Sequence, residues 1–163
     1  KVDESPTTGA GNDGIVSATG DFSGNFATTN DYGTDGKGSV DYSLALNGQA
    51  IATDLYALDP SKSNGKGDEI ILSMSGNDVI GTAGGKTYFT ISNDNAGHVT
   101  LALDQAADTN LWHENTGDLA SGNHDDAAAL KAAADMLVLK QTITDADGDT
   151  DSSEIDLGTG IFT

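Results

Sequence analysis

Val40-Asp41-Tyr42-Ser43-Leu44-Ala45-Leu46-Asn47-Gly48 carries the clearest structural signal in the chain. Val40, Tyr42, Leu44 and Leu46 are apolar and alternate with Asp41, Ser43 and Ala45, the period of a strand with one face buried. Asn47-Gly48 is a dipeptide that tight hairpins favour, because it tolerates positive φ at both central positions. It predicts a hairpin in which Gln49 to Leu58 is the returning strand.

The same grammar extends in both directions. Upstream, Asn30 to Gly38 is a turn cluster, and Ile15 to Phe26 is a strand bent at its glycines. Residues 1–14 form a polar linker leading in, punctuated by Pro6, Gly9, Gly11 and Gly14. Downstream, Asp59 to Asp68 is a loop, and Ser75-Gly76-Asn77-Asp78 turns a second hairpin between Glu69 to Met74 and Val79 to Ala83. Gly84-Gly85 turns the chain into Lys86 to Ser92. Asn93 to Gly97 is the next turn, and Val99, Leu101 and Leu103 alternate beyond it. Short strands at roughly ten-residue spacing predict a mostly β, antiparallel, sandwich-like domain.

The rhythm breaks at residues 104–126, a long polar loop insertion that contains Leu111 and Trp112. Residues 125–135, alanine-rich with Asp125 and Asp126 at the leading end, predict one short α-helix. Met136 to Thr142 then reads as a strand and Ser152 to Leu157 as its return. Residues 1–163 are expected to form a single domain, long enough to bury a real core.

Composition removes several classes of function. Seven lysines and no arginine stand against 26 acidic residues, a net charge of −19. Such a field repels phosphate backbones and anionic lipid, so neither nucleic acid nor membrane insertion is expected. No apolar run reaches the roughly 20 residues that a bilayer span requires. There is no cysteine, hence no disulfide frame or thiolate metal site. Residues 1–5 do not read as a secretory signal.

The chemistry concentrates between the last two strands. In Thr144-Asp145-Ala146-Asp147-Gly148-Asp149-Thr150-Asp151 four aspartates occupy alternate positions around a glycine. Carboxylates this close repel one another, and hard oxygen ligands suit Ca2+, which accepts six to eight of them in irregular geometry. The spacing is not that of an EF-hand, since the glycine is fourth rather than sixth from Asp145. The plainer alternative is an acidic, solvated turn.

Asp31 and Asp35 have a similar ligand-like spacing, with an ordinary glycine turn as the alternative. Asp125 and Asp126 are either metal ligands or helix caps. Asn110, Trp112 and His113 are candidates for the rim of a ligand pocket, with a core role for the tryptophan as the alternative. His98, His113 and His124 sit in no hydrolase or metalloprotease pattern, and no phosphate-binding loop is present. Without arginine the chain also lacks a bidentate partner for anionic substrates. A binding protein is expected rather than an enzyme.

The distributed motifs resemble a known family. They are Ser17-Ala18-Thr19-Gly20-Asp21-Phe22-Ser23-Gly24, Leu55-Tyr56-Ala57-Leu58-Asp59-Pro60, the stretch from Gly76-Asn77 to Gly84-Gly85-Lys86-Thr87-Tyr88-Phe89-Thr90-Ile91, and Gln141-Thr142-Ile143-Thr144-Asp145-Ala146-Asp147-Gly148-Asp149. Together they look like the extracellular repeat domains of giant bacterial RTX adhesins exported by type I secretion. The glycine-rich nonapeptide calcium repeats of RTX proteins are absent from this stretch. The resemblance implies a calcium-stabilised domain at the bacterial cell surface, in cell adhesion and biofilm formation, with neighbouring adhesin domains as partners. Some such modules bind an extracellular peptide or protein, with calcium at the site. Others are calcium-rigidified extenders. The insertion at 104–126 tips the expectation toward ligand binding, because a long loop in a compact domain usually has a function. A ligand presenting a free C-terminal carboxylate is the expected partner.

Overall fold

The computed structural model describes residues 2, 15–26, 32, 34, 36–106, 109–112 and 128–162. Among the described residues ten strands are present: β1 (Ser17–Asp21), β2 (Lys37–Leu46), β3 (Ile51–Leu58), β4 (Lys66–Ser75), β5 (Asp78–Ala83), β6 (Lys86–Asn93), β7 (His98–Leu103), β8 (Leu111–Trp112), β9 (Leu137–Asp145) and β10 (Thr150–Asp156). A 3-10 turn at Ser23–Asn25 is the sole helical element among the described residues. No helix there is long and apolar enough to cross a membrane.

The strands form two antiparallel sheets. One has seven strands in the order β1-β7-β6-β5-β4-β3-β8, the other three in the order β10-β9-β2. One core joins them: Ile70, Leu72, Val79, Ile91 and Val99 of the large sheet cluster with Leu44, Leu137 and Leu139 of the small one. Period-2 patterning supplies these residues directly, as in β3, where Ile51, Thr53, Leu55 and Ala57 are buried between exposed or half-buried neighbours. The mostly β, antiparallel class read from the sequence is the one observed.

Four expected hairpins are present, at Gly76-Asn77, Gly84-Gly85, residues 94–97 and the Asp-rich turn between β9 and β10. The hairpin expected at Asn47-Gly48 is not. β2 pairs with β9 along its whole length, Leu46 opposite Leu137, while β3 pairs with β4 and β8. Asn47 donates its backbone N–H to the Met136 carbonyl (3.0 Å) and its side-chain amide to the Asp135 carbonyl (2.7 Å). The dipeptide therefore carries the chain from one sheet to the other. Alternation fixes which face of β2 is buried but not its neighbour, and β9 brings the unbroken, fully buried run Leu137-Val138-Leu139.

The helix expected over 125–135 is also corrected. Residues 125–127 lie outside the described residues, and 128–135 are extended or turn, with Lys131 bridging Thr159. Their backbone groups are taken by other segments. Leu130 N–H donates to Phe162, Lys131 N–H to Thr53, and Gly160 N–H to Leu130. Leu130 and Ala132 are buried on one face while Lys131 and Ala133 are exposed. An isolated helix of this length is marginal even when alanine-rich, so tertiary pairing overrides propensity.

The insertion contributes an unexpected edge strand, β8, which pairs Trp112 with Tyr56 and Leu111 with Ala57.

Candidate functional site

The Asp-rich turn joins β9 to β10, with Thr144 opposite Thr150. Asp145 N–H donates to the Asp149 carbonyl (3.0 Å). The Asp145 carboxylate oxygen Oδ1 accepts from Gly148 N–H (3.0 Å) and Asp149 N–H (2.8 Å). Gly148 has φ +101, a backbone conformation that a side chain would strain. The result is a closed loop that turns its carboxylates toward one point. One oxygen from each of Asp145, Asp147 and Asp149 lies within 4.8 Å of the others, Asp145 half-buried and the other two exposed.

The start of β2 anchors this loop from the side. Ala146 N–H donates to the Gly36 carbonyl (3.1 Å), and a β-bulge between Lys37 and Ser39 brings Gly38 against β9. A Cβ at Gly38 would overlap the carbonyls of Thr144 and Asp145, so only glycine permits the approach.

Electrostatics mark the loop as under-neutralised. The hydrogen bond between the Asp147 and Asp145 side chains holds Asp145 below the usual carboxylate range, and the N–H groups of Asp149 and Gly148 add to that. The same bond pushes Asp147 above its ordinary value, with repulsion from Asp145 acting in the same direction. Two carboxyls that compete for one proton are a donor set that a divalent cation would satisfy better. The three oxygens are donors of the hard type that a divalent metal ion takes as ligands.

Of the remaining sequence candidates, Asp151 lies outside this group, and its Oδ1 accepts from Ser152 N–H (2.8 Å). Asp31, Asp35, Asp125, Asp126 and His113 lie outside the described residues. Asn110 and Trp112 are on the other sheet, beside β3. Trp112 Nε1–H donates to the Asn64 carbonyl (2.8 Å), and its ring meets Tyr56 edge-on at 6.1 Å. Asn110 accepts Leu58 N–H through its carbonyl (2.9 Å) and lines an open cleft of about 410 Å³.

Sequence reading missed the neighbours of these two residues. Lys66 Nζ stands 3.6 Å from the Tyr56 ring centroid and 4.7 Å from that of Trp112, a cation held on two aromatic faces. The loop expected over residues 59–68 ends at Gly65, as β4 begins at Lys66, and the cleft also takes residues from β3, that loop, the start of β4 and the β5–β6 hairpin. None of these stands out in the sequence, and only strand pairing assembles them. His98 is likewise more than a loop histidine. Its Nδ1 contacts Asp94 at 2.6 Å and its Nε2 lies 3.9 Å from Asp21 on β1.

The family described as Domain of unknown function (DUF5801) matches residues 1–158, and the chain belongs to that family. No curated protein and no solved structure matches it.

Proposed function

We propose that this member of the DUF5801 family is a calcium-dependent ligand-binding module of a bacterial surface adhesin, acting outside the cell in adhesion and biofilm formation. The observation that carries the reading is the convergence of Asp145, Asp147 and Asp149 on a braced hairpin. Flexible oxygen coordination favours calcium over magnesium, which demands stricter octahedral geometry and releases its waters reluctantly. The adhesin context comes from the resemblance of the distributed motifs to extracellular domains of RTX adhesins. The module binds and does not catalyse. Its ligand is a peptide or protein on another cell or surface, recognised through a free C-terminal carboxylate. A calcium ion reverses the local sign of a −19 chain, because a bound ion is often the largest charge in a site.

A second reading, a calcium-rigidified extender between adhesin domains, is favoured by Trp112. Its N–H and ring are engaged by Asn64, Tyr56 and Lys66, so the tryptophan braces the 59–65 loop. A peptide array with free and amidated C-termini, probed in saturating calcium, separates the two. Binding confined to the free series is expected of the carboxylate-reading module. Equal signal on both series contradicts carboxylate capture, and no signal on either supports the extender.

A further inference from the structure

Asn-Gly occurs at two places in the chain, Asn47-Gly48 and Asn64-Gly65. The dipeptide has a chemistry of its own besides its turn preference. Glycine sets no Cβ beside its backbone nitrogen and rotates freely, so that nitrogen can reach the side-chain carbon of the preceding asparagine. Whether it does so depends on what holds the pair, and the fold treats the two copies differently.

Asn64-Gly65 is locked. Gly65 is buried, its N–H donates to the Lys62 carbonyl (3.0 Å) and its carbonyl accepts Asp59 N–H (2.7 Å). Asn64 Oδ1 accepts Lys66 N–H (3.2 Å), and the Asn64 carbonyl accepts Trp112 Nε1–H (2.8 Å). Asn47-Gly48 is exposed, and Gly48 N–H has no acceptor among the described residues. The bonds that hold Asn47 run to the Met136 and Asp135 carbonyls and leave the Gly48 nitrogen unengaged.

We propose that Asn47-Gly48 is a self-modification site, where loss of ammonia converts Asn47 to aspartate and isoaspartate and unties the crossover between the sheets. Hydroxide takes the Gly48 amide proton, the nitrogen bonds to Asn47 Cγ, and the Cγ–Nδ2 bond breaks with release of ammonia. The product is a five-membered succinimide, which water then opens. Cleavage of the new Cγ–N bond leaves aspartate. Cleavage of the original peptide C–N bond leaves isoaspartate, with the backbone rerouted through the side chain. Water is consumed and ammonia released, and no oxidant or metal takes part.

The leaving nitrogen, Nδ2, is also the donor that holds the Asp135 carbonyl. Asp135 has φ +61, a left-handed conformation that costs a non-glycine residue energy, and the Asn47 amide braces it. Conversion replaces that donor with a carboxylate, which repels the carbonyl and adds charge to a chain already at −19. The join between the end of β2 and the start of β9 then loosens. The site is independent of the ligand-binding reading.

The test is incubation of the whole chain in warm, mildly alkaline buffer with calcium, followed by peptide mapping that separates asparagine, aspartate and isoaspartate. Asn47 should convert while Asn64 persists, and in urea both should react alike. Gly48 lies outside the positive-φ region, and a Cβ there would meet Met136 Sδ at 3.5 Å, an ordinary contact. Gly48→Ala should therefore fold and lose the conversion at Asn47, because the methyl shields the nitrogen. Converted chains, separated by their added charge, should unfold about 2–4 °C lower, the shift that loss of one hydrogen bond gives in a domain of this size. Equal rates at Asn47 and Asn64 in the folded chain, undiminished conversion in Gly48→Ala, or an unreacted Asn47 beside a reacting Ala-Leu-Asn-Gly-Gln peptide would each overturn the site. An unchanged transition in the converted chains would overturn the untying.

Discussion

Thr53 is fully buried, and its hydroxyl closes a kink in β3. It donates to the Ile70 carbonyl (2.7 Å) and accepts Leu55 N–H (3.1 Å) where the β3–β4 register shifts. Thr53→Val keeps the shape but leaves both backbone groups without that partner, at a cost of about 1–3 kcal/mol. Urea unfolding should show the lowered midpoint, and an unchanged midpoint would mean that the kink is held by packing alone. At the Asp turn, Asp147→Ala and Asp149→Ala should each weaken calcium binding in isothermal titration. Full stoichiometry and wild-type affinity in both would mean that the carboxylates are only solvated. These aspartates were legible in the sequence because a hairpin turn keeps near neighbours near. The Lys66–Tyr56–Trp112 contact was not, since each residue is unremarkable alone and only the pairing of β8 with β3 brings them together.

Among the elements, the β9–β10 hairpin and the start of β2 act as one unit, with Gly38 at the join. Gly38→Ala pushes β2 off the Thr144 and Asp145 carbonyls, so both thermal stability and calcium affinity should fall together. A loss of stability with unchanged affinity would show that the carboxylates organise themselves without β2. A second join is His98, which ties the turn before β7 to β1 through Asp94 and Asp21. The hydrogen bond that His98 Nδ1–H donates to Asp94 raises the His98 pKa above its ordinary 6.5, helped by the charges of Asp94 and Asp21. With a raised folded pKa, its contribution to stability is complete below the unfolded value and is lost as pH rises through the folded one. An NMR titration should place the His98 midpoint above 6.5 and return it toward that value in Asp94→Asn; equal midpoints in the two proteins would remove the latch. Strand positions and tight turns were readable because each is a local pattern of period two and turn residues. Partner choice was not. Asn47-Gly48 has hairpin chemistry yet crosses between sheets, and residues 128–135 have helix propensity yet bond to Thr53 and Phe162. In both, distant backbone groups outcompete a local preference worth little on its own.

The whole molecule places one core between two sheets inside a shell of charge −19. Self-repulsion of that size opposes compaction, and under the proposed function bound calcium would relieve it most where Asp145, Asp147 and Asp149 crowd together. The fold class followed from composition and period, whereas the cleft followed from neither, because its residues come from separate stretches of the chain. An ion that binds the native state and not the unfolded chain stabilises it by mass action, and at a hundredfold excess over its Kd the gain is about 2.7 kcal/mol. The most direct test is therefore thermal unfolding of the same chain in EDTA and in millimolar calcium. Calcium-dependent folding requires a transition several degrees lower in EDTA, restored by adding calcium and restored poorly by magnesium. Superimposable transitions in the two conditions would contradict it.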